Sequence, residues 1–265
     1  TDGSSDVCNS YKKYKQIKII HNKKNCGAGL SRNKGIAATS GTYLMLLDSD
    51  DYLLKKGLVK LKNIIIKNKF PNVILNNIKR NKIPENNNHI LKHFHDKIQN
   101  KNEFFHTLNK NKIILNECWL FAISRKLLID KNILFPKILL GEDVPFVIKT
   151  LLLMESILIN RNEFLFHRSR EKSLKHTLGV EAAYAWILIL INLCSLFKIY
   201  SQNNVTKKYL KFRIFDINSR LGAYVTLLNK NETIKLSKKI KGAFKKINIL
   251  KKDDFSKKIN INAKS

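Results

Sequence analysis

Three carboxylates stand together in the run LLDSDD at residues 46–51. The apolar stretch before them, YLMLL at residues 43–47, predicts a buried strand, so Asp48, Asp50 and Asp51 would lie at its carboxyl end. In open α/β sheets, ligands bind at that edge. Hard oxygen ligands suit Mg²⁺ or Mn²⁺, which usually bridge to substrate phosphates. The alternative is a solvated turn in which an aspartate caps the helix that follows.

A second acidic pair, Glu142 and Asp143, follows Gly141 at a predicted junction between a loop and a helix. A carboxylate in such a position can act as a general base if it faces a substrate hydroxyl. The alternative is an ordinary acidic start to a helix over residues 142–154, where the helix dipole favours negative charge. The residues alone leave both interpretations open.

A dinucleotide-binding fingerprint is excluded by a single residue. Gly27 and Gly29 begin a GxGxxG pattern, but Arg32 stands where the third glycine should be. A zincin-type metal helix is excluded in the same way, because His89 and His93 have its spacing but lack its glutamate.

Strand and helix patterns alternate over residues 1–77 and predict an α/β fold with a mostly parallel sheet. The expected elements are a strand at residues 17–20, a turn at 27–29, a helix at 30–39, a strand at 43–47, a helix at 58–67 and a strand at 73–75. Residues 78–112 are polar and predict an excursion from the core. Beyond them we expect strands at 119–123 and 163–167, helices near 124–131 and at 142–154, and helices from residue 180 onward.

The composition describes a strongly basic globular protein. The 265 residues include 50 Lys and Arg against 20 Asp and Glu, a formal charge of +30, and 44% are apolar, which argues against wholesale disorder. Only 8 of the basic residues are Arg, and Lys is spread along the chain, which disfavours nucleic acid as a partner. The cysteines at 8, 26, 118 and 194 form no CxxC motif, so a reducing compartment is expected.

The polar opening TDGSSD predicts no secretory signal. One apolar stretch, residues 182–197, approaches the length of a membrane span, but Asn192 and Ser195 interrupt it. Because a spanning helix needs about 20 apolar residues, a buried or interfacial helix is the expectation. Residues 198–265 hold 18 Lys and Arg against 4 Asp and Glu. We therefore expect a cytoplasmic protein with peripheral attachment to an anionic membrane face.

Four segments together resemble the family 2 glycosyltransferases of the GT-A fold. They are residues 2–6 (DGSSD), 25–35 (NCGAGLSRNKG), 41–51 (GTYLMLLDSDD) and 141–143 (GED). The resemblance covers residues 1 to about 175. It implies a GT-A domain over residues 1–175, which is Rossmann-like with a mostly parallel sheet flanked by helices, and a basic helical region over residues 176–265.

The resemblance also implies roles for single residues. Asp2 would contact the nucleobase of a nucleotide-sugar donor. Asp48 and Asp50 would bind the nucleotide diphosphate through a divalent cation, Mn²⁺ or Mg²⁺. Asp143 would be the catalytic base.

Four further residues are expected around the same site. Arg32, Asn33 and Glu142 would help to form the donor site, although helix packing explains the first two nearly as well. His167 stands where some members of the family carry an additional histidine ligand to the metal. A partly exposed histidine at a strand end is the alternative for His167, and an acceptor-cleft or core position are the alternatives for Trp119.

The function that the resemblance implies is inverting transfer of a sugar, with UDP as the expected nucleotide, to a hydroxyl of a cell-surface glycan or lipid-linked acceptor. The family's first strand-helix-strand unit is missing from the sequence, which begins within the turn that should follow it. We therefore expect an amino-terminally truncated GT-A domain. Two alternatives stand beside this hypothesis: a catalytically inactive domain of the same fold, and a basic protein that binds nucleic acid or polyphosphate.

Overall fold

The structure is a computed structural model that describes residues 3–80, 88–168 and 179–246. Its centre is a six-stranded sheet in the order β1-β5-β3-β6-β2, with β4 paired to β6. The strands are β1 (Tyr43–Met45), β2 (Tyr52–Leu53), β3 (Val73–Arg80), β4 (Gln99–Asn100), β5 (Phe121–Ser124) and β6 (Ser156–His167).

The sheet is mixed, which refines the expected α/β architecture. Strands β3 and β6 pair in parallel, whereas β5 lies antiparallel between β1 and β3. The short strands β2 and β4 also run antiparallel to β6. The expectation of a mostly parallel sheet is therefore wrong for the pairings within the described residues. The reason is that β5 inserts between two strands that share one direction, and sequence patterns do not encode that neighbour relation.

Helices flank this sheet and continue beyond it. They are α1 (Ser4–Ser10), α2 (Gly27–Ala38), α3 (Gly57–Lys67), α4 (Asn88–Leu91), α5 (Lys101–Asn111), α6 (Arg125–Asp130), α7 (Asp143–Leu153), α8 (Val180–Tyr200), α9 (Asn204–Val225) and α10 (Lys230–Lys246). A 3₁₀ turn, η1 (Cys118–Leu120), precedes β5.

Local signals explain several helix boundaries. Helix α2 starts at Gly27, whose φ of 81° suits glycine and whose N–H donates to the Asn25 side chain. Helix α5 starts with a capping box, in which Asn100 and Glu103 exchange side-chain to backbone hydrogen bonds.

Two expected elements are wrong. Residues 17–20 form no strand, and Ile17 and Ile20 are exposed. The described residues 78–80 and 88–112 are not an excursion from the core, because β3 continues to Arg80 and α5 buries an apolar face made of Phe104, Phe105 and Leu108. That face follows helical spacing, but the Lys and Asn residues around it conceal it in the sequence.

The carboxyl-terminal helices pack on two of the helices that flank the sheet. Helix α8 contacts α7, α9 and α10, and α9 also packs against α5. Within the part of the chain that is described, α8 is the one helix long and apolar enough to cross a membrane, and 56% of its most apolar window is buried inside the protein. The expected domain boundary at residue 175 falls outside the described residues, so that division stays a prediction.

Candidate active site

One guanidinium joins the two acidic motifs. Arg32 on α2 donates through Nη2 to Asp48 Oδ1 at 2.7 Å, and through Nη1 to Glu142 Oε1 at 2.7 Å and Asp143 Oδ1 at 2.8 Å. The side chain of Arg32 is 18% exposed. Asp48, which follows β1, and the two carboxylates at the start of α7 therefore meet at Arg32, although the chain separates Arg32 from Glu142 by 110 residues.

Helix α2 reaches this point by close packing. A Cβ on Gly29 would lie 3.0 Å from Glu142 Cγ and 3.1 Å from Phe135 Cβ, so a larger residue would force these side chains to shift. One turn further on, Asn33 and the backbone of Phe135 exchange two hydrogen bonds of 2.9 Å. Both amide functions of Asn33 are thus used to dock the helix, and its expected role in the donor site stays a prediction.

The cluster has an excess of negative charge. One guanidinium faces three carboxylates, which leaves a balance of −2 when all four groups are ionised. Burial raises the pKa of Asp143, and the nearby Arg32 opposes that rise. Burial and the charge of Asp143 likewise raise the pKa of Glu142, again against the effect of Arg32. The site can therefore relieve its charge by binding a proton or a cation.

The turn η1 completes the surroundings of Asp143. The backbone N–H of Cys118 donates to Asp143 Oδ2 at 3.3 Å, so both carboxylate oxygens of Asp143 are held. The next residue, Trp119, is buried and stacks on the ring of His167, with centroids 4.7 Å apart and an interplanar angle of 15°. Residues 118–119 thus touch both the acidic cluster and the end of β6.

A second cluster lies at that strand end. Both oxygens of Asp51 lie 3.1 Å from His167 Nδ1, and Asp51 Oδ1 also accepts the backbone N–H of Arg168 at 2.9 Å. The Asp51 side chain is fully buried, whereas that of His167 is 19% exposed. An aspartate on Nδ1 favours the tautomer that presents Nε2 as a free lone pair, which is the arrangement common to metal-binding histidines.

The sequence analysis assigned no specific role to Asp51. The signal that could have indicated one was its position as a third acid directly after Asp50, in a segment flanked by apolar residues. Its partner His167 lies 116 residues away, and no local pattern reveals that contact.

The predicted metal ligands are only partly assembled. Asp48 is paired with Arg32, Asp50 precedes the buried Asp51, and His167 belongs to the second cluster. Among the described residues, no group of three His, Cys, Asp or Glu side chains is placed to hold a metal ion. The donor chemistry nevertheless fits a divalent cation, because carboxylate oxygen and an oriented imidazole suit Mn²⁺, and phosphate oxygens can complete its coordination. Asp2 lies outside the described residues.

Comparison with known proteins agrees with this architecture. Residues 1–131 match the family described as glycosyl transferase family 2. This amino-terminal part of the chain belongs to that family. The fold resembles that of S. aureus TarS 1-349 in complex with UDP-GlcNAc, with 19% identity, a TM-score of 0.67, and coverage of 89% of this chain and 66% of that one. It also resembles mannosyltransferase PcManGT from Pyrobaculum calidifontis in complex with GDP-Man and Mn²⁺, at 11% identity and a TM-score of 0.52 over 92% of this chain and 68% of that one.

Among curated glycosyltransferases, the cholesterol galactosyltransferase of Borreliella burgdorferi is 27% identical over 191 residues, which is 68% of this chain and 52% of that protein. The curated relatives are matched over 10% to 52% of their own lengths. These likenesses confirm the GT-A fold, and they leave the chain's own donor, acceptor and partners to be proposed.

Proposed function

We propose that this family 2 chain transfers a sugar from a nucleotide-diphosphate donor, with UDP as the nucleotide, to a hydroxyl of a cell-surface glycan or lipid-linked acceptor. The observation that carries the proposal is the meeting of Asp48, Glu142 and Asp143 on Arg32. Asp143, the acid that we propose for proton transfer, shares this guanidinium with Asp48. The bound UDP-GlcNAc of TarS and GDP-Man of PcManGT support a nucleotide-sugar donor. The name of the B. burgdorferi relative supports a lipid acceptor.

In this proposal Asp143 removes the proton of the acceptor hydroxyl. Arg32 and the Cys118 N–H fix its two oxygens, and burial raises the pKa of its carboxyl, which makes the carboxylate a stronger base than a solvated aspartate. A single base with no covalent partner implies one displacement at the anomeric carbon, and hence inversion of configuration.

A divalent cation would supply charge neutralisation of the leaving diphosphate when bound. Asp50 and His167 would hold the cation, and Asp51 would orient the imidazole through its contact with Nδ1. Asp48 would remain close to the same position through its pair with Arg32. The −2 balance of the acidic cluster favours a cation over a second anionic group in this site.

Calorimetric titration with UDP tests donor binding directly. We expect binding that requires Mn²⁺ and that weakens roughly 10- to 100-fold in Asp51→Asn, because the imidazole would lose the partner that orients it. His167→Ala should weaken it at least as much, whereas Glu163→Gln, a change in the same strand, should leave it within about twofold. UDP binding that is indifferent to Mn²⁺ and to both substitutions would contradict the cation site. Affinity for RNA without affinity for UDP would instead support the nucleic-acid alternative. A protein that binds neither RNA nor UDP would support the inactive domain.

We further propose that the basic carboxyl-terminal helices rest on an anionic, cytoplasmic membrane face. Lys208, Lys211 and Phe215 lie at helical spacing on one side of α9 and are exposed, with Phe215 71% accessible. Lysines near an anionic surface contribute about 1 kcal/mol each, and an exposed aromatic ring can enter the interface. Attachment of this kind would bring the site to a lipid-linked acceptor.

A further inference from the structure

The most unusual side chain outside the acidic site is that of Arg213 in the middle of α9. It is fully buried, at 0% exposure, which is rare for an arginine. Its nearest acid, Asp216, lies 3.9 Å from Nε, and Nε itself has no hydrogen-bond partner within the described part of the chain. A buried cation with so weak an ion pair is a poor source of stability, because its desolvation is costly. Stability of α9 therefore does not account for it.

The strong contacts of Arg213 point to a distant loop. Its Nη2 donates to Asn116 Oδ1 at 2.5 Å and its Nη1 lies 3.4 Å from the carbonyl oxygen of Leu115. Tyr209, one turn earlier in α9, supplies its hydroxyl oxygen at 3.3 Å from Nη1. Both loop residues are nearly a hundred positions away in the chain. The guanidinium thus fixes the backbone and side chain of residues 115–116 together.

Those two residues lead directly into η1. The segment of residues 115–119 carries the Cys118 N–H that donates to Asp143 and the Trp119 ring that stacks on His167. The far end of η1 is held separately, since Asn76 donates to the Leu120 carbonyl at 3.3 Å. Arg213 therefore provides the anchor at the amino end of a segment that touches both clusters of the site.

We propose that Arg213 is a positioning residue for the acidic site, acting through the segment of residues 115–119. Its role in turnover rests on the proposed function, whereas its control of the segment does not. By this proposal α9 forms part of the catalytic unit, because Asp143 keeps its orientation only while the Cys118 N–H stays in place. A misplacement of about 1 Å at a catalytic group can lower a rate by as much as 100-fold.

Fluorescence of Trp119 tests the structural half of the proposal. The chain has two tryptophans, so a Trp186→Phe background leaves Trp119 alone. Trp119 is 4% exposed, and acrylamide should quench it poorly. We expect Arg213→Met to raise the quenching constant of Trp119 severalfold, in a variant whose circular dichroism spectrum shows that it is folded. The matched control is Leu210→Ala, which opens the same buried helix but removes no polar contact, and it should leave the constant unchanged.

The rate of sugar transfer tests the functional part of the proposal, with two variants of Asn116, the residue that accepts a hydrogen bond from Arg213. Asn116→Ala removes the oxygen that accepts from Arg213, and we expect turnover to fall about 10- to 100-fold. Asn116→Asp keeps that oxygen and should retain turnover within about threefold, as should Leu210→Ala. If Arg213→Met does not fold, the Asn116 pair decides the question by quenching and by turnover.

The outcomes separate the two proposals. Unchanged quenching of Trp119 in Arg213→Met and in Asn116→Ala would overturn the positioning role, whatever the wild-type protein catalyses. If the wild type transfers sugar, equal turnover of Asn116→Ala and Asn116→Asp would overturn it as well. A wild-type protein without transfer activity, but with Trp119 released in the variants, would refute the proposed function and keep the structural role of Arg213.

Discussion

Replacement of Arg32 by methionine should destabilise the protein in a pH-dependent way. Methionine keeps most of the apolar stem but removes the guanidinium, which lies over the Phe135 ring and carries the charge that three carboxylates share. Glu142 and Asp143 are only 10% and 19% exposed, so they would face each other with little water to screen them. Removing one partner of a buried pair costs about 3–5 kcal/mol, and partial exposure reduces this, so we expect about 2–3 kcal/mol here. For a protein of this size that corresponds to a fall in melting temperature of roughly 5–10 °C.

The pH dependence follows from the direction of the pKa shifts. Arg32 lowers the pKa of Glu142 and Asp143 against the effect of burial, so both values should rise further in Arg32→Met. A native state that binds protons more tightly than the unfolded chain is most stable at low pH and loses stability as pH rises through the raised pKa. The difference in melting temperature between wild type and variant should therefore widen from about pH 5 to about pH 8.

Thermal unfolding monitored by circular dichroism at these two pH values measures the effect. Lys126→Met is the matched control, because it breaks an exposed pair with Asp130 and should barely change the melting temperature. A loss in Arg32→Met that equals the loss in this control, or that is the same at both pH values, would refute the reasoning about the shared guanidinium.

Two further predictions concern packing and attachment. Gly29→Ala should lower the free energy of unfolding by about 1–3 kcal/mol, because its Cβ would displace Glu142. Gly35→Ala in the same helix meets no atom within 4 Å and should raise the free energy of unfolding by about 0.4–1 kcal/mol. Urea denaturation of both variants measures the difference. In flotation with anionic vesicles at low salt, the wild type should rise with the vesicles. The double change Lys208→Glu and Lys211→Glu should reduce the floating fraction of protein. A wild type that stays in the soluble fraction would contradict membrane attachment.

Deletion of the basic tail is not a suitable test of that attachment. Tyr209 and Leu210 of α9 are fully buried, so removal of residues 198–265 would expose the core. The sequence predicted a basic helical region here, because lysines dominate its composition. The structure shows that one side of α9 packs against α5 and α8 while the lysines occupy the other.

Sequence patterns predicted the helices and strands around the site better than they predicted which of these elements pack beside one another. Helices α2, α3 and α7 and the acids after β1 carry local signals, namely helical spacing, a glycine-rich start and a run of aspartates. The insertion of β5 beside β1 has no such signal, since strand order depends on contacts between distant segments. The same limit explains why α5 was predicted to lie outside the core.

The site shows the same division. The carboxylates could be found from the sequence because three acids at a strand end are uncommon. The family resemblance assigned Asp48, Asp50 and Asp143 to one site. Arg32 was expected to help form the donor site, but no pattern in the sequence indicated that it pairs with Asp48, Glu142 and Asp143 together. The Asp51–His167 contact and the anchoring of residues 115–116 by Arg213 each join segments about a hundred residues apart. Such pairs become visible only once the chain is folded.

The role of Asp143 is the most direct point at which to test the account. The measurement is UDP release from UDP-GlcNAc with a cell-envelope lipid and glycan extract as acceptor, made on wild type and Asp143→Asn together with the UDP dissociation constant of each. Because the base acts only when the acceptor attacks, we predict that release falls by about 10²- to 10⁴-fold in the variant while UDP affinity stays within about threefold. Near-normal release by Asp143→Asn, or loss of UDP binding in step with release, would contradict the assignment of Asp143 as the base.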